Sequence, residues 1–381
     1  METATLYYAT NRAHRGKDRW RPQGYSGKPS NDGAENLRFG KLTLQVDPSV
    51  VRRHLAAKTR YGIGAGTALT DYLRKQAGTI EIQAFEELLN ADKPDSIQAE
   101  KNFGSIRAFR DMQQVMKKSQ DVLLYIHGFN VDWDDAVASA LALQFMLNVD
   151  GGTGKYTNVF LFSWPSDGMA LPYVSYKSDR SDAKLSGYAF GRGLLKLRDW
   201  LGKLRTRNAG KQLLCKQEVH LLCHSMGNYV LQNSLARIMR FNHGKVPPRL
   251  FEQIFMCAPD VDDHVFEPGQ ALSALPDMAR CVSIYHNRED VAMYVSDYTK
   301  NNPDRLGQSG AARPALLNNK IQQIDCSRIV TGVVEHGYYL NGLVNRDIRL
   351  SIAGISQDDG ERDRRRKGNA WPNIWMMTPA S

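Results

Sequence analysis

One serine occupies a position in the sequence that is typical of a catalytic nucleophile. Ser225 follows an apolar run at residues 219–223 that predicts a buried parallel strand, and helical apolar spacing resumes at Met226. Cys223 lies two residues before it and Gly227 two residues after it. Small residues at these two places allow the tight strand-to-helix turn of a nucleophile elbow, which exposes the hydroxyl for attack on a carbonyl carbon. The usual first residue is glycine, and cysteine is small enough to replace it.

A serine of this kind needs an acid and then a histidine later in the chain. Asp290 leaves the next-to-last predicted strand, the more common place for the acid, whereas Asp260 leaves the strand before it. Asp260 has an alternative role as the cap of a following helix. Of the nine histidines, His336 alone comes after Asp290. The order therefore predicts a Ser225, Asp290 and His336 triad, with Asp260 as the alternative acid.

A second loop has the composition of an oxyanion hole. His127, Gly128, Phe129 and Asn130 follow the predicted strand 122–126. In the corresponding loop of hydrolases, one backbone amide stabilises the developing oxyanion, and the residue after the nucleophile supplies another. We expect these amides to be those of Phe129 and Met226. One such donor is worth about 3 kcal/mol of transition-state stabilisation.

Aromatic residues near the predicted strand ends have two possible roles. Trp164 follows the strand at 159–162, and Tyr173 and Tyr176 come soon after it. Trp164 is our candidate substrate-binding residue, while core packing or anchoring of a loop is the alternative for all three. The predicted chemistry needs no metal and no organic cofactor, and the sequence contains neither a His-Glu-x-x-His helix nor a P-loop.

Alternating strand and helix patterns supply the elements that position these residues. They predict an α/β fold with a mostly parallel central sheet, helices on both faces, and chemistry at the carboxyl ends of the strands. The predicted strands are 122–126, 159–162, 219–223, 253–257, 281–285 and 321–330, and the predicted helices are 134–147, 181–204, 228–241 and 291–300.

The two ends of the chain have weaker patterns. Strand-like runs at 6–10 and 41–46 predict a hairpin-like pair at a sheet edge. Residues 59–95, helix-compatible around Ile80, Phe85 and Leu88, suggest an insertion or partial lid, and 105–118 predicts a helix packed on the core. We expect residues 1–118 to belong to the same domain as a catalytic core at 119–345, followed by a basic tail at 346–381.

Composition fits a soluble enzyme. The 381 residues are 42% hydrophobic and 24% charged, which is enough for one large core. No run reaches the ~18 apolar residues of a membrane span, and no secretory signal is recognisable. Five cysteines without C-x-x-C pairs favour reduced thiols and a cytoplasmic location.

The net charge of +10 raises the question of a nucleic-acid partner. Residues 1–60 have 12 Lys and Arg against 5 Asp and Glu, and residues 361–381 have 5 against 2. Residues 61–360 are neutral, with 33 of each sign. We therefore interpret 12–21 and 362–367 as solvated or partner-binding ends, and we expect no nucleic-acid partner for the core.

Six short motifs are distributed over most of the chain. They are Tyr8-Ala9-Thr10-Asn11-Arg12, Ile126-His127-Gly128-Phe129-Asn130, Ser163-Trp164-Pro165-Ser166-Asp167-Gly168, His224-Ser225-Met226-Gly227-Asn228, Ala258-Pro259-Asp260-Val261-Asp262 and His336-Gly337-Tyr338. Together they resemble the bacterial α/β-hydrolase family of unknown function, whose members are described as esterase/lipase-superfamily enzymes. This resemblance implies a serine hydrolase with Ser225 as nucleophile, and it implies no known substrate.

The predicted activity is hydrolysis of a small-molecule carboxylic ester through an acyl-enzyme. A thioesterase, an amidase or an acyltransferase uses the same residues, so the sequence leaves these open. A non-catalytic binding protein on the same scaffold is the alternative of another class. The sequence does not specify the natural substrate or the oligomeric state.

Overall fold

The computed structural model describes residues 1–86, 103–118, 120–149, 156–166, 172–207, 217–245, 247–290, 304–330, 335–368 and 371–379. The predicted helix at 291–300 lies outside these residues, as do Asp167, Gly168 and Cys215.

Eleven of the strands in the described residues form one sheet, in the order β14-β15-β13-β12-β11-β10-β8-β9-β1-β4-β7, and two small sheets pair β2 with β3 and β5 with β6. Within the run from β15 to β1, each strand is parallel to the next. The pairs β14–β15, β1–β4 and β4–β7 are antiparallel. The strands are β1 (Glu2–Thr10), β2 (Arg12–Arg15), β3 (Gly24–Pro29), β4 (Arg38–Val46), β5 (Lys58–Thr59), β6 (Gly62–Ile63), β7 (Glu81–Ala84), β8 (Gln120–Ile126), β9 (Tyr156–Ser163), β10 (Val219–His224), β11 (Phe251–Cys257), β12 (Ala279–His286), β13 (Ile321–Asp325), β14 (Arg364–Arg366) and β15 (Ile374–Met377).

Helices cover both faces of this sheet, which confirms the predicted α/β-hydrolase architecture. Alternate residues of β8 belong to two separate apolar clusters: Leu123 and Tyr125 pack with α4, and Val122 and Ile126 pack with α5 and α6. The helices are α1 (Pro48–Ala56), α2 (Gly66–Lys75), α3 (Gly104–Met116), α4 (Trp133–Leu147), α5 (Pro172–Arg207), α6 (Gly227–Phe241), α7 (Leu306–Ser309) and α8 (Gly342–Ile352).

The N-terminal strands differ from the predicted edge pair. β1 and β4 are antiparallel as expected, but β4 also pairs with β7, so β4 is not an edge strand. Residues 81–84 were expected to be helix-compatible and instead form β7, because Glu81 and Gln83 are exposed while Ala84 is buried, a strand alternation. The division of the chain at residues 118 and 345 stays a prediction.

The end of β13 also differs from its prediction. The strand was expected to continue to residue 330, but it stops at Asp325. The Asp325 carboxylate accepts hydrogen bonds from the backbone N–H and the hydroxyl of Ser327, and the Val330 N–H donates to the Cys326 carbonyl. These contacts form turns that replace the strand ladder.

Two of the basic C-terminal residues, Arg362 and Arg364, have buried side chains, so the interpretation of residues 362–367 as a solvated end is wrong for these two. Arg362 is 1% exposed, and its Nε lies 2.9 Å from Asp347 Oδ1, while Arg364 Nη1 lies 3.1 Å from the other oxygen of the same carboxylate. Tyr285 donates to that carboxylate as well, at 2.7 Å. The tail is therefore held to the domain by a buried network of charged hydrogen bonds.

No helix in the described ranges has both the length and the apolar composition to cross a membrane.

Candidate active site

Ser225 lies on a sharp turn between β10 and α6. Its φ of +51° is in the left-handed region, which a non-glycine residue adopts only when the surrounding structure enforces it. Its N–H donates to the Cys257 carbonyl at 2.9 Å, and its carbonyl accepts from the amides of Asn228 and Asp260. The Asn228 side chain, fully buried, also donates to the carbonyls of Cys223 and Ser225. These bonds hold the strained geometry expected of a nucleophile elbow.

Two glycines allow the elbow and the 127–130 loop to pack against each other. A Cβ on Gly227 would lie 2.7 Å from the carbonyl oxygens of both Ile126 and His127, and a Cβ on Gly128 would lie 2.9 Å from the Ser225 Cβ. Both separations are shorter than van der Waals contact. Glycine at these positions is therefore required by close approach of the backbone, with no unusual φ involved.

Cys223 takes the place of the first glycine of the motif without difficulty. It is fully buried, and burial raises the pKa of its thiol well above the usual value. The thiol is therefore protonated at neutral pH and packs as a small apolar group.

His336 and Asp290 are hydrogen-bonded to each other. His336 Nδ1 lies 2.7 Å from Asp290 Oδ2, with the carboxylate fully buried and the imidazole 21% exposed. This distance fits a charge-assisted hydrogen bond. Because Nδ1–H donates to the carboxylate, Nε2 of a neutral His336 is available to accept a proton.

Asp260 has different neighbours. The Tyr176 hydroxyl donates to its carboxylate, at 3.0 Å from Oδ2, and Nε of the buried Arg305 lies 3.4 Å from Oδ1. The structure brings Asp260 next to the elbow through its backbone, whose N–H donates to the Ser225 carbonyl at 3.2 Å. Its carboxylate thus supports the loop after β11, whereas the Asp290 carboxylate contacts the histidine.

His224, directly before Ser225, links the elbow to the loop that contains His336. Its Nε2–H donates to the His336 carbonyl at 3.1 Å, and the centroids of the two imidazole rings are 4.6 Å apart. Burial lowers the pKa of His224 well below its ordinary value, and the nearby His336 acts in the same direction. His224 is therefore neutral at neutral pH and fixes the position of the His336 backbone.

The backbone amides of Phe129 and Met226 are the two predicted oxyanion donors. Within the described part of the chain, neither the Phe129 amide nor the Met226 amide donates a hydrogen bond. Met226 immediately precedes α6, so the N-terminal end of the helix dipole adds to the positive potential at this place.

A buried arginine that sequence patterns alone did not identify holds the loop that follows β8. Arg12 is 1% exposed, and its guanidinium donates to the Val131 carbonyl at 2.7 Å and to the Ser163 hydroxyl at 2.8 Å. A further N–H lies 3.3 Å from His127 Nε2. The grouping of Arg12 with the solvated basic residues is therefore wrong, and its place in the Tyr8–Arg12 motif was the available signal.

His127 is a structural member of this loop. Its Nδ1–H donates to the Gly128 carbonyl at 2.8 Å, while its Nε2 accepts from the Trp164 backbone N–H at 3.2 Å. Burial lowers the pKa of His127 well below the ordinary value, and the Arg12 charge adds to this. A neutral imidazole with this tautomer accepts and donates at the same time.

Trp164 lies beneath the same loop. It is fully buried, its ring stacks on His127 at a centroid distance of 5.3 Å, and its indole N–H donates to the His127 carbonyl at 2.9 Å. These contacts agree with the alternative role of Trp164, which is to anchor the loop. The Tyr176 ring lies 5.7 Å from that of Phe129, and the Tyr173 side chain lies outside the described residues.

A family model described as alpha/beta hydrolase of unknown function (DUF900) matches residues 107–345, well over half of the chain. The chain belongs to this family. Comparison with curated proteins found none that matches. Membership of the DUF900 family agrees with the sheet described above and supports hydrolysis as the general class of reaction. The matched range contains Ser225, Asp290 and His336, while Arg12 lies before it.

Proposed function

We propose that this DUF900 protein is a serine hydrolase that cleaves carboxylic esters through an acyl-enzyme. The observation that carries the proposal is the 2.7 Å hydrogen bond between His336 Nδ1 and the buried Asp290 carboxylate. It supports the proposal because a buried carboxylate fixes the histidine tautomer that a serine nucleophile requires. The strained elbow at Ser225, one residue after His224, supplies the nucleophile.

The first half of the reaction forms the acyl-enzyme. His336 Nε2 removes the Ser225 hydroxyl proton as Oγ attacks the ester carbonyl carbon, and Asp290 stabilises the resulting imidazolium. The carbonyl oxygen becomes an oxyanion that accepts from the Phe129 and Met226 amides. Collapse of the tetrahedral intermediate breaks the bond to the alcohol oxygen, which takes the proton from His336.

The second half repeats these roles with water. His336 deprotonates a water molecule, which attacks the acyl carbon, and the carboxylic acid leaves as Ser225 regains its proton. In this mechanism Arg12 and Trp164 do not touch the reacting atoms. They position the loop that contains Phe129, so we assign Trp164 an anchoring function in place of substrate binding.

Substitution of the nucleophile tests the proposal. We expect the purified protein to hydrolyse short and medium p-nitrophenyl esters and to be labelled by a fluorophosphonate at Ser225. Ser225→Ala should lose labelling and reduce kcat on the order of 10⁴-fold or more, because no other group replaces Oγ. Activity is measured by release of p-nitrophenolate and labelling by mass spectrometry of the modified peptide.

Ser234→Ala is the matched control. Ser234 is a fully buried serine on α6 that donates to the Val230 carbonyl, so its loss affects packing without removing the nucleophile. Full labelling and esterase activity in Ser225→Ala would contradict the proposal. A parallel panel of thioesters and amides separates ester hydrolysis from the related acyl-transfer activities.

A further inference from the structure

A cluster of three potential metal-ligating side chains lies at the N-terminal ends of two central strands, away from Ser225. Asp121 is near the start of β8, Glu218 immediately precedes β10, and His220 is the second residue of β10. One ligand atom from each of the three lies within 4.8 Å of the other two. Ser225 lies five positions after His220 in the chain, a distance of roughly 16 Å at 3.3 Å per residue.

The register of β8 and β10 places these side chains on one face. His220 is the partner of Leu123, and Val219 is the partner of Val122. Side chains two residues apart on a strand share a face, so Asp121 and Glu218 project to the same side as Leu123 and His220. The backbone therefore places the three side chains on the same side of the sheet.

His220 is the observation that points to a ligand. Its side chain is fully buried, and neither ring nitrogen has a hydrogen-bond partner among the described residues. Leaving such a group unsatisfied costs free energy, so a buried imidazole in this state needs an explanation. Its Nε2 lies 3.8 Å from Asp121 Oδ2, too far for a hydrogen bond.

That separation is suitable for a shared cation. Bonds of about 2.1 Å from one cation allow two ligand atoms to be up to about 4.2 Å apart. The Asp121 carboxylate is oriented by its other oxygen, which accepts from the Glu218 backbone N–H at 3.0 Å. A hydrogen bond to the second oxygen of a ligating carboxylate is a usual feature of protein metal sites.

We propose that Asp121, Glu218 and His220 bind a divalent first-row transition-metal cation. An imidazole combined with carboxylates favours zinc, iron or manganese over calcium or magnesium. The cation links the start of β8 to the start of β10, and it lies too far from Ser225 to take part in ester cleavage. Its role is to stabilise the two strands that precede the oxyanion loop and the elbow.

Zinc binding to the full-length protein tests this site. After treatment with a chelator and its removal, calorimetric titration with ZnCl₂ should show one equivalent bound per chain, and Tm should rise with zinc. Glu218→Gln and His220→Leu should each weaken binding at least ~10-fold and reduce the rise in Tm, because the first removes the charge of a ligating carboxylate and the second removes the imidazole. Glu218 is partly exposed, so its variant decides the question if His220→Leu does not fold.

Glu252→Gln is the matched control, since Glu252 is a partly exposed acid at the start of the neighbouring β11, outside the cluster. It should bind zinc as the unmodified chain does. Zinc affinity and Tm rise that are unchanged in Glu218→Gln would overturn the proposal, as would the absence of zinc binding by the unmodified protein. Neither outcome depends on esterase activity.

Discussion

At the scale of single residues, the two candidate acids are distinguished by what their carboxylates contact. The Asp290 carboxylate lies 2.7 Å from His336 Nδ1, whereas the Asp260 carboxylate accepts from Tyr176 and lies near Arg305. Asp260 therefore has the partners of a structural residue in a charged network. Asp290 has the partner that a triad acid needs.

We predict that Asp290→Asn lowers kcat on the order of 10³- to 10⁴-fold with little change in KM, because Asn favours the wrong imidazole tautomer. Asp260→Asn keeps an acceptor for Tyr176 and should change kcat by no more than about tenfold. Initial rates on a p-nitrophenyl ester, with circular dichroism to verify folding, measure both. A larger loss in Asp260→Asn than in Asp290→Asn would reverse the assignment.

Chain order and strand-end position restrict the choice of candidate residues strongly, and the triad of Ser225, Asp290 and His336 that the sequence indicates stays a prediction. The sequence did not predict the role of Arg12. The partners of Arg12 at Val131 and Ser163 are more than a hundred residues away in the chain, so its burial depends on tertiary packing that local charge does not reveal. For the same reason the charge pattern misassigned Arg362, which meets Asp347 on α8.

At the scale of elements, the site depends on contact between two strand-to-helix connections. The loop after β8 and the elbow after β10 are adjacent because β8 and β10 are parallel neighbours. Gly227 lies at this contact. A Cβ on Gly227 would be 2.7 Å from the carbonyl oxygens of both Ile126 and His127. The close approach of the neighbouring loop therefore explains why the motif requires a small residue at position 227.

We predict that Gly227→Ala lowers kcat about 10²-fold or more, because the added methyl group moves the oxyanion loop away from the elbow and weakens a donor. Gly78→Ala is the control, since a Cβ there meets no atom within 4 Å. Steady-state kinetics and thermal unfolding of both variants are the measurements. Unchanged kcat in a folded Gly227→Ala would show that the loop accommodates the methyl group without loss of the site.

At the scale of the whole molecule, the C-terminal residues extend the sheet that contains the site. β15 pairs in parallel with β13, and the buried Arg362 and Arg364 meet the Asp347 carboxylate on α8. Asp347 also accepts from Tyr285 on β12, the strand that leads toward Asp290. The tail therefore stabilises the part of the sheet that positions Asp290.

We predict that Arg362→Met lowers the free energy of unfolding by roughly 3–5 kcal/mol, because removing one partner of a buried ion pair leaves the other poorly compensated. Arg365→Met is the control: Arg365 is an exposed residue of β14, three positions after Arg362. Urea unfolding curves, compared at equal m-values, measure the difference. Equal midpoints for the two variants would show that the buried network contributes nothing to stability.

The strands at the two borders of the described sheet are short and polar. β14 consists of three arginines, and β7 has only four residues, with Glu81 and Gln83 exposed. An open sheet edge otherwise offers unpaired N–H and C=O groups to a strand of another chain, and short charged borders suppress this type of recruitment. The protein can thus keep a sheet with parallel, strongly apolar central strands while resisting edge-to-edge aggregation at high concentration.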